Sequence, residues 1–549
     1  MPGSKLFNLG LYQKRFGGNN IIVGPSINLG CTRGRGSSTR MFNYCTQSSS
    51  NPSECINQFI TVNQTSSSAP VITAPSAPTI TNIVSIDPNQ LTITFTEPTS
   101  DGGSAIIDYQ YSVDGGVTFI AIDSISNPLN IYNIQAGGYS NILLAAVNEV
   151  GRGATSNPYI SSVTVYGWSG LPNTPINGLT GSVNLLGIVR CSCKDENNDI
   201  IYYAGASDLA LKNSNGTTTP VYGVIGYSPS QSSWLALYPF YDPLAYGGSY
   251  NGINAIAIDT SGNFYIGGDF SFNNGTYSFQ NIAKYTTAAE WVPLSGGVSG
   301  PVYNIAINSS NNVYVGGVFT SANGVTVNNI AMWNGNTWSA LGSGTSGGSG
   351  GVNTIAIDSS DNVYVGGGFI NAGGLTVNRI AMWDPSGVSW SSLDEGVNNF
   401  VKEIAIDTSN NVYFGGDFTI GSGIALNYIA KWDKSLQILY ALTPTGGTNP
   451  GLNRSVRSLS IDNNNVYIGG VFNHDNNDPG ITLNHIAKWD GNNFSALGNN
   501  GVTPGNIIDG TIYVKTIQIN NNGLFCGGTF TGAGQCSNIS NVAQYTTAP

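Results

Sequence analysis

Histidine is nearly absent from this 549-residue chain, which has two, and charged side chains make up only 9% of it. Catalysis needs a positioned acid, base, nucleophile or metal, so a supply this thin argues for a non-enzymatic protein with no cofactor and no catalytic or metal site. His474 and His485 lie eleven positions apart in NHDNNDPGITLNHIAKW, a loop spacing that suits hydrogen bonding better than a metal pair. The seven cysteines (31, 45, 55, 191, 193, 526 and 536) include no CxxC pair; they are too scattered for a zinc site and too few for a disulfide-built fold. No apolar run approaches the roughly 18 residues of a membrane span. The opening MPGSKLFNLGLYQKRFGG lacks the apolar core of a signal peptide, so conventional secretion is not expected.

Positive charge is also scarce outside the N-terminal segment. Residues 1–60 carry Lys5, Lys14, Arg15, Arg33, Arg35 and Arg40 against Glu54 alone, a net +5, which leaves −16 for the other 489 residues. Phosphate recognition needs a positive surface, so the charge disfavours nucleic acid as a partner of the body.

What the chain has in abundance is glycine, 72 residues, beside a hydrophobic fraction of 40%. That balance predicts an all-β protein of short strands and turns. A unit of about 50 residues recurs, clearest in GVNTIAIDSSDNVYVGGGFINAGGLTVNRIAMWDPSGVSWSSL, and repeats of this length mark propellers or solenoids. Its landmarks are Ile256, Ile305, Ile355, Ile404, Leu459 and Ile517; a glycine pair follows each one, beginning at 267, 316, 366, 415, 469 and 527. Each unit divides into four strands, VNTIAID, VYVGGGF, NRIAMWD and SWSSL, with turn residues between them. In the first strand, alternation sets Ile355 and Ile357 on one face and Val352 with Ala356 on the other. The glycine pair predicts a bend or a close backbone approach.

Aromatic residues of the third and fourth strands, such as Trp383 and Trp390, are expected to fill the space between units. Asp259, Asp358, Asp407 and Asp462 recur at one position, with Asn308 and Asn520 replacing them, a pattern that suits hairpin turns better than calcium or an active site. A degenerate unit from Val183 to Leu237, read as VNLLGIVRCSC, IIYYAGA, VYGVIGY and SWLAL, brings the count to seven. The last unit stops after its third strand, and a Trp-x-x-Leu motif stands instead at Trp168 to Leu171. Residues 167–549 are therefore expected to form a seven-bladed propeller closed by residues 168–171. They resemble kelch-like and NHL-like tandem-repeat propellers, in which an Asp-x-Ser-x-Asn hairpin precedes a Val-Tyr-Val-Gly-Gly strand.

Residues 75–166 resemble a fibronectin type III domain. The likeness is carried by the alternation of Leu91, Ile93 and Phe95, the DGGS turn, the NEVGRG loop, and Tyr139 at the corner-tyrosine position. Residues 1–74 show no sustained period and read as an extended basic arm and linker. Within them, Arg33, Arg35, Arg40, Phe42 and Tyr44 are the candidate partner-anchoring residues. Cys45 and Cys55 are a candidate disulfide, which Cα atoms more than about 7 Å apart would exclude.

Arm, fibronectin-like module and Gly/Asn-rich propeller together resemble virion proteins of giant DNA viruses. That resemblance implies a structural protein assembled in the cytoplasm and displayed on a virion or particle surface, anchored through its arm to other structural proteins or to copies of itself. The alternative is a glycan-binding or host-attachment lectin that works through its propeller loops.

Overall fold

The computed structural model describes most of residues 71–165, 167–170 and 183–546, with short gaps, and two strands of the arm. The chain separates into two compact units, Met1–Thr73 and Ala74–Pro549. In the first, Arg40–Tyr44 pairs antiparallel with Ile56–Ile60, Arg40 opposite Ile60 and Tyr44 opposite Ile56. The segment expected to be extended throughout thus contains a strand pair. Neither RMFNY nor INQFI alternates apolar with polar residues, and runs this short carry no readable period.

The second unit opens with two antiparallel sheets. One holds Thr79–Val84, Leu91–Thr96 and Leu129–Ile131; the other holds Asp108–Ser112, Ile120–Ala121, Leu143–Asn148 and Gly151–Thr155. Leu91, Ile93 and Phe95 alternate inward, as period two requires, and share one core with Tyr109, Leu144 and Ala146. Phe95 meets Tyr109 edge-on at 4.7 Å. Tyr139 packs partly buried against the same core.

From Val189 onward, the described residues form seven successive sheets of similar plan. Their first strands are Val189–Asp195, Ser249–Ile258, Val302–Ile307, Val352–Ile357, Val401–Ile406, Val456–Asp462 and Tyr513–Asn520. Each contacts the first strand of the next sheet, and Tyr513–Asn520 also contacts Val189–Asp195. Gly167–Gly170 pairs with Val542–Thr546 at the outer edge of the seventh sheet, Trp168 opposite Tyr545. Val183–Leu186, expected to run into the first strand of the first unit, pairs instead with Ala210–Asn213 in a separate three-stranded sheet.

Hydrophobic cores lie between consecutive sheets. Tyr314, Ile330 and Leu341 of the third sheet share a cluster with Val352, Ile355 and Val363 of the fourth. Every first strand carries a β-bulge: in the fourth sheet, Val352 pairs with Gly367 and Thr354 with Gly366, so Asn353 has no partner. The extra residue resets the alternation. Val352 therefore joins Ile355 and Ile357 in one cluster while Ala356 faces the next, which corrects the facing expected from simple alternation.

The glycine pair meets two different constraints. A Cβ on the first glycine would strike the valine that opens the next sheet: Gly316 would stand 2.5 Å from Val352 Cγ1, Gly366 2.4 Å from Val401 Cγ1 and Gly527 2.6 Å from Val189 Cγ1. A Cβ on the second would strike a carbonyl beside the bulge, as at Gly367, 2.1 Å from Gly351 O. The expected close approach occurs at both glycines, to a side chain at the first and to backbone at the second.

Candidate binding sites

The recurring aspartates act as turn acceptors. Asp358 Oδ1 accepts from the backbone N–H of Ser360 and of Asn362, both at 2.9 Å, and Oδ2 accepts from Asn362 Nδ2 at 2.8 Å and Tyr364 Oη at 3.2 Å. Asp259 and Asp407 repeat the backbone pattern, and Asn308 reproduces it with its amide oxygen. Asp462 does not, because its hairpin is shorter: Asp462 pairs directly with Asn465.

The same turns tie neighbouring sheets together. Asn311, Asp361 and Asn410 occupy left-handed backbone with φ of 61°, 63° and 61°, a conformation Asn and Asp tolerate. From there Asn311 accepts from Thr260 of the preceding sheet, Asp361 from Ser309 and Asn410 from Ser359. Asn520 Nδ2 likewise donates to Asp199 Oδ1 at 2.9 Å, from the seventh sheet to the first. Tryptophans add a second set of links. Trp338 Nε1 donates to Leu294 O at 3.0 Å and Trp390 Nε1 to Leu341 O at 2.8 Å, each reaching the preceding sheet.

The unpaired bulge residues of the seven first strands are Arg190, Asn254, Tyr303, Asn353, Lys402, Arg457 and Lys515. A bulge re-aims its side chain away from the packed faces. All except Arg457 line a cavity of about 130 Å³ enclosed by the first strands, as does its neighbour Ser458. The seven divide into two arcs. Asn254, Tyr303 and Asn353 are neutral, and the two asparagines donate across to the next sheet, to Val302 O and Val401 O, both at 3.0 Å. Lys402, Arg457, Lys515 and Arg190 sit on four consecutive sheets, the fifth, sixth, seventh and first.

Of these four cations, Lys402 is paired with Asp417 at 2.5 Å. Arg190 donates to Asn251 O and Asn254 Oδ1, both at 2.9 Å. Arg457 lies over the Tyr513 ring at 5.7 Å, and its buried Nε has no hydrogen-bond partner. Lys515 is partly exposed by area, but that surface faces the narrow cavity; desolvation, then Arg457, holds its ammonium below the usual lysine range. Desolvation pushes the Glu403 carboxyl up to about 8 against the opposing pull of Lys515. Burial likewise raises the Cys191 thiol to about 12, so it stays neutral. These residues went unnoticed in the sequence, although each of the last six stands two positions before a landmark Ile or Leu.

Among the residues singled out in the arm, Arg40, Phe42 and Tyr44 lie on the Arg40–Tyr44 strand. Arg33, Arg35, Cys45 and Cys55 lie outside the described residues. His474 Nδ1 contacts Asp475 O at 2.6 Å, and its main chain bridges to Thr482. His485 has φ of 72° and its imidazole is held below the usual histidine range by desolvation. No group of three or more His, Cys, Asp or Glu side chains is placed to hold a metal ion among the described residues. None of them forms a helix long and apolar enough to cross a membrane.

Repeated sheets around a common cavity define a propeller-like repeat domain. A family model described as the Rax2 C-terminal beta propeller domain matches residues 339–522, less than half of the chain. Among solved structures, the chain is similar to U3-55K at 12% identity, covering 66% of this chain and 98% of that one with a TM-score of 0.41. It is also similar to the WD40 beta propeller domain of Doa1 at 11% identity, covering 67% and 96% with a TM-score of 0.35. No curated protein matches. The chain is an all-β protein with a propeller-like domain.

Proposed function

We propose that this chain is a non-enzymatic interaction protein displayed on a virion or particle surface and anchored by its N-terminal arm. In this reading residues 75–166 are a fibronectin type III-like module, and the seven sheets form a seven-bladed propeller closed by the Gly167–Gly170 strand. The pairing of Trp168 with Tyr545 and the approach of Gly527 to Val189 support that closure.

The observation that carries the interaction role is a repeated exposed aliphatic. Short hairpins after the second strand present Val325, Leu375 and Ile424, which are 38%, 48% and 41% exposed on three consecutive sheets. The recurring Asp and Trp positions are consumed by the framework, whereas these aliphatics contribute little to it. Apolar surface repeated in register is what a protein partner buries. The +5 charge of residues 1–60, within a unit separate from the acidic body, supports the anchoring role.

Two variants test the two halves of this proposal. Deleting residues 1–60 is expected to leave a folded body that no longer joins the particle, read by mass spectrometry of purified particles. Replacing Val325, Leu375 and Ile424 with Ser is expected to leave incorporation intact and abolish attachment to the outward partner. Normal incorporation of the truncated chain would overturn the anchor. Retained attachment by the triple variant, with loss of binding on glycan removal, would favour the lectin reading.

A further inference from the structure

We propose that the central cavity binds a small oxyanion, a carboxylate or phosphate group, on Lys402, Lys515 and Arg190, which line it, with Arg457 adding its charge from outside the lining. This inference is independent of where the chain is displayed. Four consecutive sheets place a cation at the one position that packing leaves free, inside a body whose net charge outside residues 1–60 is −16. A random scatter of 13 basic residues over that body would not set a cation at this one position of four consecutive sheets, three of them lining one cavity.

The local acids do not neutralise the arc. Asp417 is committed to Lys402. Glu403 is held largely protonated at neutral pH by desolvation, and the Cys191 thiol is neutral. Lys515 has no hydrogen bond among the described residues, and the Arg457 Nε is buried without one. Ser458, only 4% exposed, lines the cavity with its Oγ also unpartnered. Lys515 lines the cavity, and an oxyanion there would satisfy its ammonium with charge-assisted bonds. A cavity of about 130 Å³ admits one such group and excludes a bulky ligand.

Binding is expected to weaken as pH rises through about 8, when Glu403 ionises opposite Lys515, which also faces Arg457, Cys191 and Arg190. The test is calorimetric titration of the full chain with inorganic phosphate and, separately, with acetate, against chloride at matched ionic strength. Saturable binding is expected at pH 6.5. It should weaken on the order of tenfold in Lys515→Met and in Arg190→Met, since each removes a charge-assisted contact at the cavity lining, and stay unchanged in Lys488→Met outside the cavity. Phosphate binding alone assigns the site to phosphates, and binding of both ions assigns it to oxyanions in general. If either cavity variant fails to fold, Lys515→Gln, which removes the same charge but keeps a polar donor, supplies the same reading. No binding beyond chloride, or equal loss in Lys488→Met, would overturn the proposal.

Discussion

Replacing Gly366 with Ala adds a single methyl at the contact between the fourth and fifth sheets. Its Cβ would stand 2.4 Å from Val401 Cγ1, 3.0 Å from Val401 Cβ and 2.9 Å from Thr354 Cγ2. Contacts this short oblige the valine, and with it the next sheet, to move. Overpacking of this kind costs typically 1–3 kcal/mol. Against it stands the gain from a less flexible unfolded chain, roughly 0.4–1 kcal/mol for Gly→Ala. The net expectation is a loss of about 1–2 kcal/mol. Val401→Ala alone removes two buried methyls and leaves a cavity, at a cost of about 2 kcal/mol. In the double variant the new methyl occupies the space the valine vacated, so the combined loss should fall at least about 1 kcal/mol short of the sum. The assay is urea unfolding followed by tryptophan fluorescence, with midpoints compared at constant slope. A neutral Gly366→Ala, or strict additivity in the cycle, would refute the packing role assigned to the first glycine.

Glu403→Gln should stabilise the protein increasingly with pH. The folded carboxyl titrates near 8 rather than 4.5, so the wild type loses stability as pH rises from 4.5 to 8. At about 1.4 kcal/mol per pKa unit, reduced for water in the cavity, the gain should reach about 2–4 kcal/mol above pH 8 and vanish near pH 4; a pH-independent effect in urea unfolding would count against it. Trp390→Phe removes the link to Leu341 O, but that carbonyl keeps the N–H of Gly344 at 3.0 Å. Beyond the change in ring size, the hydrogen-bond loss should therefore be only about 1 kcal/mol, and a loss above about 4 kcal/mol in the same assay would show that the link does more.

How much of this was legible before the structure depends on the kind of signal. The strand order in each sheet could be read because turn residues and period-two runs are local, as in IDSSDNVYVGG. The role of Asp358 could be read for the same reason: its acceptors serve residues two and four positions ahead. The role of Asp361 could not, because its partner Ser309 lies 52 residues away on another sheet. Val183–Leu186 misled for the opposite reason. A largely apolar run such as VNLL can form a strand locally, but nothing local says which sheet it joins, and here it pairs with Ala210–Asn213. The arm gave the weakest signal, since five-residue runs such as RMFNY are too short for a period to stand out.

The bulge explains why the cationic arc was invisible to periodicity yet is simple once seen. In all seven first strands the residue before the bulge is Val or Ile: Val189, Ile253, Val302, Val352, Val401, Val456 and Val514. On six of the seven, this side chain faces a glycine of the preceding sheet at a distance that leaves no room for a Cβ, so its size is dictated. The bulge residue itself has no ladder partner and no neighbouring sheet to fit, and it is Arg, Asn, Tyr, Asn, Lys, Arg and Lys in turn. Two adjacent positions in one strand thus obey opposite rules, one fixed by packing and the next free of it. A repeat protein that must change what it binds without loosening its sheets can do so at that free position, where substitution leaves the ladder and the intersheet cores untouched. That four neighbouring sheets use it for a cation, while two of the three others use an asparagine there to donate to a carbonyl of the next sheet, gives one cavity two chemically distinct walls.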